Sequence, residues 1–355
     1  MTSIDLECSK VKESGNVLFV VYAAPIPYSH GVSVLSSVLK KAGIQTEVFI
    51  ADGNLDEFST VLLKPFRAVC FAHCIRKDFE LSEPYIDLAI EYGHHVLLGG
   101  TFHRRNNPNK YDGKVPICRG DGERIADYFT DGDTSIFDEQ LVCDDLDALP
   151  MADYEIFERI PYNGHIKNFA DCYKLPYTIS RGCIGSCKFC EVRHQPQKLR
   201  IRYSSVDDLN YLKNKYNPDL FFFTDELFPY YNTKYLDSFL PSISTPFFSF
   251  IRADIEPQKL RAMIDAGMVG CAFGVESGDE KFRNDVLGKN LTDDQIYTTA
   301  DILRSTGTYF AHFYMTGYDG ETFREQLKTD EMVFKLGGEP MIFDYTRVAY
   351  GTRRC

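Results

Sequence analysis

The sequence has no apolar run near the roughly 18 residues that a membrane-spanning helix needs. Its longest, around Val17–Pro27, is strand-length and has prolines at its end, so a membrane span is not expected. The first fifteen residues are polar and mixed in charge, which argues against a secretory leader. Repeats of solenoid period and low-complexity tracts are missing too, and with them any stacked-repeat architecture. Positive charge is scarce: 39 Lys and Arg stand against 51 Asp and Glu, a net charge of −12. That balance argues against bulk binding to a nucleic-acid backbone, although a local basic cleft stays open. Eleven cysteines without an export signal point to reduced thiols and a cytoplasmic chain, with some thiols serving as metal ligands.

What is present is ordinary for a globular protein: 355 residues, 44% hydrophobic and 25% charged, enough for two domains at about 150 residues each. Over the first 130 residues short apolar strands alternate with helical patterns, as in a parallel sheet. The strands are expected at Val17–Tyr22, Glu47–Ile50, Ala68–Ala72, His95–Leu98 and Pro116–Cys118. A helix after the first strand places Val32, Leu35, Val38 and Leu39 on one face and closes at Gly43, and another spans Leu81–Tyr92. This reads as a doubly wound, Rossmann-like domain of flavodoxin-like strand order. Residues 131–165 lose the rhythm and are rich in Asp and Glu. From Pro176 a second alternation begins, with strands at Tyr177–Ser180, Leu220–Thr224, Phe247–Ile251, Gly270–Gly274, Tyr309–Met315 and Met341–Val348 and helices such as Pro257–Ala266 and Asp293–Ser305. Six βα units are too few for an eight-fold barrel and suit a partial (β/α)6 barrel. The expected organisation is 1–135 for the first domain, 136–170 for a linker and 171–355 for the barrel.

Within Ser180–Cys190, Cys183, Cys187 and Cys190 have C-x3-C-x2-C spacing. Chance gives roughly 0.01 such triplets in a chain of this composition. Thiolates this close in one loop can converge on an iron–sulfur cluster and leave one iron open for a substrate. Two other readings remain: a zinc site completed by His194 or another residue, and a Cys187–Cys190 dithiol that leaves Cys183 unexplained.

At these residues the chain resembles the radical S-adenosylmethionine (SAM) superfamily, whose loop has the same spacing with an aromatic residue before the last cysteine, here Phe189. The resemblance implies a 4Fe–4S cluster on Cys183, Cys187 and Cys190, with SAM chelating the fourth iron. It also implies SAM contacts at Phe189, at Asp225 and Glu226, an acidic pair ending the second barrel strand, and at Gly274, Glu276 and Ser277 in a G-x-E-S segment. Read without the resemblance, Asp225 and Glu226 suit a helix N-terminus, and Ser277 suits a turn with a helix cap. Gly317–Thr322 is similar to the family's G-x-P-G-E-T, with Asp319 replacing Pro, and fits a turn and a cap.

The first half resembles the cobalamin-binding domain fused to many members of that superfamily. The likeness lies in Tyr28, His30 and Gly31 of the first-strand loop, in Gly99-Gly100-Thr101, and in Gly120, Gly122 and Glu123. The D-x-H-x-x-G signature that supplies a histidine to cobalt is missing, so His30, His73 and His103 are weak candidates and a ligand-free site is expected. Cys70 reads as a buried strand residue and Cys74 as a residue at the strand exit. The basic stretches His103–Lys110 and Arg193–Arg202 read as solvated surface or as an anion site. Together the resemblances imply a cobalamin-dependent radical SAM enzyme, a methyltransferase that acts at an unactivated carbon through a 5′-deoxyadenosyl radical and methylcobalamin. A cyclase or isomerase that does not use cobalamin as methyl donor, and a non-catalytic iron–sulfur scaffold, are the rivals. The implied partners are a flavodoxin- or ferredoxin-type electron donor and a small-molecule, peptide or nucleotide substrate. With no further domain evident after the barrel, that substrate is expected to be held by the barrel mouth and the first domain or brought by a partner.

Overall fold

The computed structural model describes residues 15–22, 29–74, 76–104, 109–137, 141–157, 169, 172–190 and 199–344. The chain forms two compact units, Met1–Lys167 and Asn168–Cys355.

In the first unit the apolar run Asn16–Tyr22 is the strand β1. The chain continues through α1 (His30–Lys41), β2 (Thr46–Ala51), α2 (Leu55–Val61), β3 (Phe66–Ala72), α3 (Arg76–Glu91), β4 (Val96–Gly99), the short α4 (Thr101–Arg104) and α5 (Ile125–Asp131). The strands form a parallel sheet of order β2-β1-β3-β4. A single parallel bridge, Leu98 to Ile117, is all that appears of the strand expected at Pro116–Cys118. Successive residues of a strand point to opposite faces. Val17, Phe19 and Val21 accordingly pack with Val32 and Leu39 of α1 and Ile125 and Phe129 of α5. Leu18 and Val20 pack with Phe58 of α2 and with Tyr85 and Ile86 of α3. Both faces are covered, which is why β1 is apolar throughout. The segment 141–157 leaves Ile156 and Phe157 buried in the first of these cores.

The second unit holds β5 (Lys174–Tyr177), β6 (Ser180–Arg181), β7 (Arg200–Ile201), α6 (Ser205–Tyr216), β8 (Leu220–Phe223), α7 (Thr233–Phe239), β9 (Phe247–Ile251), α8 (Pro257–Asp265), β10 (Met268–Glu276), α9 (Asp293–Thr306), β11 (Tyr309–Thr316), α10 (Phe323–Leu336) and β12 (Glu339–Asp344). Six strands pair in parallel in the order β12-β11-β10-β9-β8-β5, the order that consecutive βα units give, with β5 and β12 as edges. The strand expected at Tyr177–Ser180 is two strands. β5 ends at Tyr177, and Ser180 instead opens β6, which pairs antiparallel with β7. Residues 345–348 of the last expected strand lie outside the described residues. Among the described residues no helix is long and apolar enough to cross a membrane.

Candidate functional site

The cysteine loop is pinned at its base. Ser180 and Arg181 of β6 pair with Ile201 and Arg200 of β7, so the chain leaves and rejoins one short antiparallel ladder around the three thiols. Asp225, at the end of β8, secures the entry. Its carboxylate accepts from the Ser180 N–H at 2.5 Å, the Ser180 hydroxyl at 2.6 Å and the Ile179 N–H at 3.3 Å. Burial raises its pKa to about 7, against the pull of these donors. Glu226 is exposed and accepts from the Gly182 N–H at 3.2 Å. The acidic pair is thus divided: Asp225 faces the protein and Glu226 the solvent.

Gly185 lies between two of the sulfurs. A Cβ there would meet Cys183 Sγ at 3.4 Å, Arg252 Nη1 at 3.5 Å and Cys187 Sγ at 3.8 Å. The Gly185 N–H donates to Cys183 Sγ at 3.3 Å, and Arg252 Nη1 donates to Cys187 Sγ at 3.9 Å. Burial pushes the Cys183 thiol up, while Gly185, Arg252 and Lys289 oppose that shift. Among the described residues no three His, Cys, Asp or Glu side chains converge on one metal ion. An iron–sulfur cluster takes each thiolate on a different iron, whereas a mononuclear zinc site gathers all its ligands on one ion. N–H donors and a cation beside the sulfurs fit such a cluster. His194, the possible zinc ligand, lies outside the described residues.

The G-x-E-S segment ends β10. The register against β11 shifts between Gly274 and Glu276, a bulge, and Glu276 has a left-handed φ of 71°. Such backbone is uncommon outside glycine and tends to occur where the surroundings enforce it. Its carboxylate folds back over Gly274 and pairs with Lys289 Nζ at 2.7 Å, both side chains being buried. A Cβ at Gly274 would overlap the Glu276 carboxylate and reach Lys289 Nζ at 2.6 Å, so only glycine leaves room for the pair. Lys289 Nζ also lies 5.9 Å over the Phe189 ring, which brings two predicted site residues to one ammonium. Ser277 is fully buried, and its hydroxyl accepts from the Asp279 N–H at 3.2 Å, a turn contact. Thr322 caps α10 in a capping box with Glu325, and the Gly317 N–H donates to Glu321 at 2.6 Å, so that segment serves as turn and cap.

In the first unit the strand order reverses between β1 and β3, and the crevice beyond their carboxyl ends is where open α/β sheets bind ligands. Tyr28 lies outside the described residues. His30 begins α1, just after the Ser29 cap. Gly100 has φ 101°, and a Cβ on it would overlap the His73 backbone, with His73 N at 2.7 Å. Thr101 donates to the Cys74 carbonyl at 2.9 Å, while Gly99 lies against Cys118. A Cβ at Gly120 would collide with the Leu141 carbonyl, and one at Gly122 would press on Leu35. Glu123 is half-buried beside them. His73 and His103 are buried and bonded to each other, Nδ1 to Nε2, at 2.9 Å, and His73 Nε2 lies 2.6 Å from the Ser82 hydroxyl. Burial lowers their pKa values to about 3 and about 4. Both ring nitrogens of His73 are therefore occupied by protein partners. Of the basic stretches, Lys110 pairs with Asp87 at 2.9 Å and Arg202 with Asp208 at 2.6 Å; residues 105–108 and 191–198 lie outside the described residues.

Arg252, Lys289 and Ser180 are site residues that sequence reasoning missed. A strand-end arginine in Arg-x-Asp after β9 was the one available signal, and it carries no spacing rule of its own.

No curated protein matches the chain in sequence. Two solved structures of the radical SAM methyltransferase TsrM from Kitasatospora setae share its fold. The structure with cobalamin and a [4Fe-4S] cluster has TM-score 0.71 at 13% identity, covering 93% of this chain and 72% of that one. The structure with tryptophan and a SAM analogue has TM-score 0.69 at 13% identity, covering 92% and 73%. The cobalamin-dependent SAM radical enzyme OxsB with aqua-cobalamin has TM-score 0.65 at 17% identity; this chain covers 52% of it, with 90% of its own length matched. At such identities the likeness is one of fold. Residues 177–333, which hold the cysteine loop, the β8 acidic pair and Glu276, match the family described as the Radical SAM superfamily.

Proposed function

We propose that the chain is a cobalamin-dependent radical SAM enzyme that methylates an unactivated carbon. The observation that carries the reading is the three-cysteine loop pinned by β6 and β7, with N–H and guanidinium donors turned toward its sulfurs, in a segment that matches this superfamily. On this reading Cys183, Cys187 and Cys190 hold a 4Fe–4S cluster. The sheet edge of the first unit, with Gly99, Gly100, Thr101, Gly120, Gly122 and Glu123, holds cobalamin. When bound, the cluster and SAM supply a 5′-deoxyadenosyl radical, and cobalamin supplies a transferable methyl group.

The residues of the chain bind and orient. Glu226, exposed beside the Gly182 N–H, offers its carboxylate to the SAM ammonium as a charge-assisted acceptor. Asp225 acts one step behind, holding Ser180 and so the start of the cysteine loop. Glu276, fixed by Lys289, presents a polar edge at the end of β10. Gly100, Gly120 and Gly122 let the loops of the first sheet edge pack closely on His73, Leu141 and Leu35, which fixes the backbone that would face a flat ligand. His73, bonded at both nitrogens, is withheld from cobalt. The tryptophan-bound relative supports a small-molecule substrate, and a flavodoxin- or ferredoxin-type donor would deliver the electron.

The test is anaerobic reconstitution with iron, sulfide and cobalamin, followed by SAM and dithionite. We expect about 4 iron per chain, as a cubane requires, and 5′-deoxyadenosine, both lost in Cys183→Ala, Cys187→Ala and Cys190→Ala. SAM deuterated in its methyl group separates methyl transfer from rearrangement. Full iron in Cys187→Ala would overturn the cluster assignment, and iron without 5′-deoxyadenosine would favour a scaffold.

A further inference from the structure

Arg252 follows β9, and its guanidinium is bonded on several sides. Nε donates to both Asp254 carboxylate oxygens, at 3.3 and 3.2 Å, and Nη2 donates to Asp254 at 3.1 Å. Asp254 is itself held by the Tyr231 hydroxyl at 2.7 Å, and the Arg252 N–H donates to the Tyr230 hydroxyl at 3.1 Å. A planar fork fixed along one edge leaves its other nitrogens no choice of direction. Nη2 reaches the Lys289 carbonyl at 2.8 Å, and Nη1 points at Cys187 Sγ, 3.9 Å away. Cys187 is buried, so little water screens that contact. The same guanidinium thus touches the cysteine loop and the residue whose ammonium holds Glu276.

We infer that Arg252 is a positioning residue that seats the cysteine loop and raises the reduction potential of the cluster it carries. The inference rests on the reading of Cys183, Cys187 and Cys190 as cluster ligands. Adding an electron makes a thiolate-bound cluster more negative, and its potential follows net charge, hydrogen bonds to sulfur and solvent exposure. A fixed cation that donates to one ligand sulfur favours the reduced form on the first two counts. An ion pair that served only to hold β9 in place would be complete with Asp254 and would not need Nη1 at the sulfur. Lysine cannot replace it fully, because a single ammonium cannot grip Asp254, Lys289 and the sulfur at once.

The experiment compares the reconstituted wild-type chain with Arg252→Gln and Arg252→Lys. Iron and sulfide are assayed first, then the midpoint potential by redox titration followed by electron paramagnetic resonance, without SAM. In Arg252→Gln, with iron retained, the ratio of reduced to oxidised cluster at the wild-type midpoint should fall roughly tenfold, about 59 mV for one electron. Arg252→Lys should shift less, in the same direction. A potential for Arg252→Lys equal to that of wild type overturns the inference, as does an unshifted Arg252→Gln. If both variants fail to take up iron, Arg252 is a folding residue and the inference also falls. Failure of the wild-type chain to take up iron instead sinks the cluster reading itself.

Discussion

Asp225 shows how a carboxylate can be legible in type while its partners are not: its oxygens bond Ser180 and Ile179. The acidic pair after an apolar strand is legible in the sequence, and so is its place at the mouth of the sheet. Which of the two is turned inward is set by Ser180, 45 residues away in sequence, and no local pattern encodes that. Arg252 and Lys289 were illegible for the same reason: the guanidinium meets Cys187 across 65 residues. The burial of Asp225 has a measurable consequence in the cofactor-free chain. Its folded pKa of about 7 stands above the ordinary aspartate value, so between the two the folded state holds a proton that the unfolded state releases. Its contribution is fully present below about pH 4 and is lost as pH rises through 7. Between pH 6 and pH 8 the wild-type chain should lose about 1.4 kcal/mol relative to Asp225→Asn. Urea unfolding of both proteins at the two pH values measures this, and parallel pH profiles would show the carboxyl to be ionised throughout.

The strands were the most legible elements, because β1, β3 and β8 are covered on both faces and so read as unbroken apolar runs. Amphipathic elements with thin apolar stripes were less so. The helix α2 escaped notice since Phe58 is its one fully buried residue, and α3 begins at Arg76, not Leu81, because its first turns are largely polar. The split of Tyr177–Ser180 into β5 and β6 follows from where the backbone of Ile179 bonds: its N–H goes to Asp225, and its carbonyl accepts from Arg202. Glycines at element ends separate shape from flexibility. Gly100 and Gly113 both have positive φ, at 101° and 73°, yet a Cβ at Gly100 would overlap the His73 backbone, whereas one at Gly113 would meet nothing. Gly113→Ala should therefore cost only the strain of the left-handed backbone, about 1–2 kcal/mol. Gly100→Ala adds a collision between the ends of β3 and β4 and should cost more than about 3 kcal/mol. Chemical denaturation of the two variants decides this; equal losses would mean that the β4 exit shifts freely away from β3.

At the scale of the whole chain, two parallel sheets each present a carboxyl edge with its own chemistry: small residues and buried neutral histidines in the first unit, thiols flanked by cations in the second. The residue types made that division legible, since a C-x3-C-x2-C triplet and an edge rich in glycine have different physical uses. The proposed function assigns one group to each edge, and so requires that the two be lost separately. Gly120→Val adds a Cβ that would collide with the Leu141 carbonyl and should deform the first edge while leaving the cysteine loop untouched. That variant should retain about 4 iron per chain and still release 5′-deoxyadenosine, yet hold no cobalamin after gel filtration and transfer no deuterated methyl group. Cys187→Ala should do the reverse with respect to binding, losing iron while its cobalamin absorbance persists. Loss of both groups in each variant would indicate a single interdependent site, and cobalamin retained in Gly120→Val would remove this edge from the account of how it is bound.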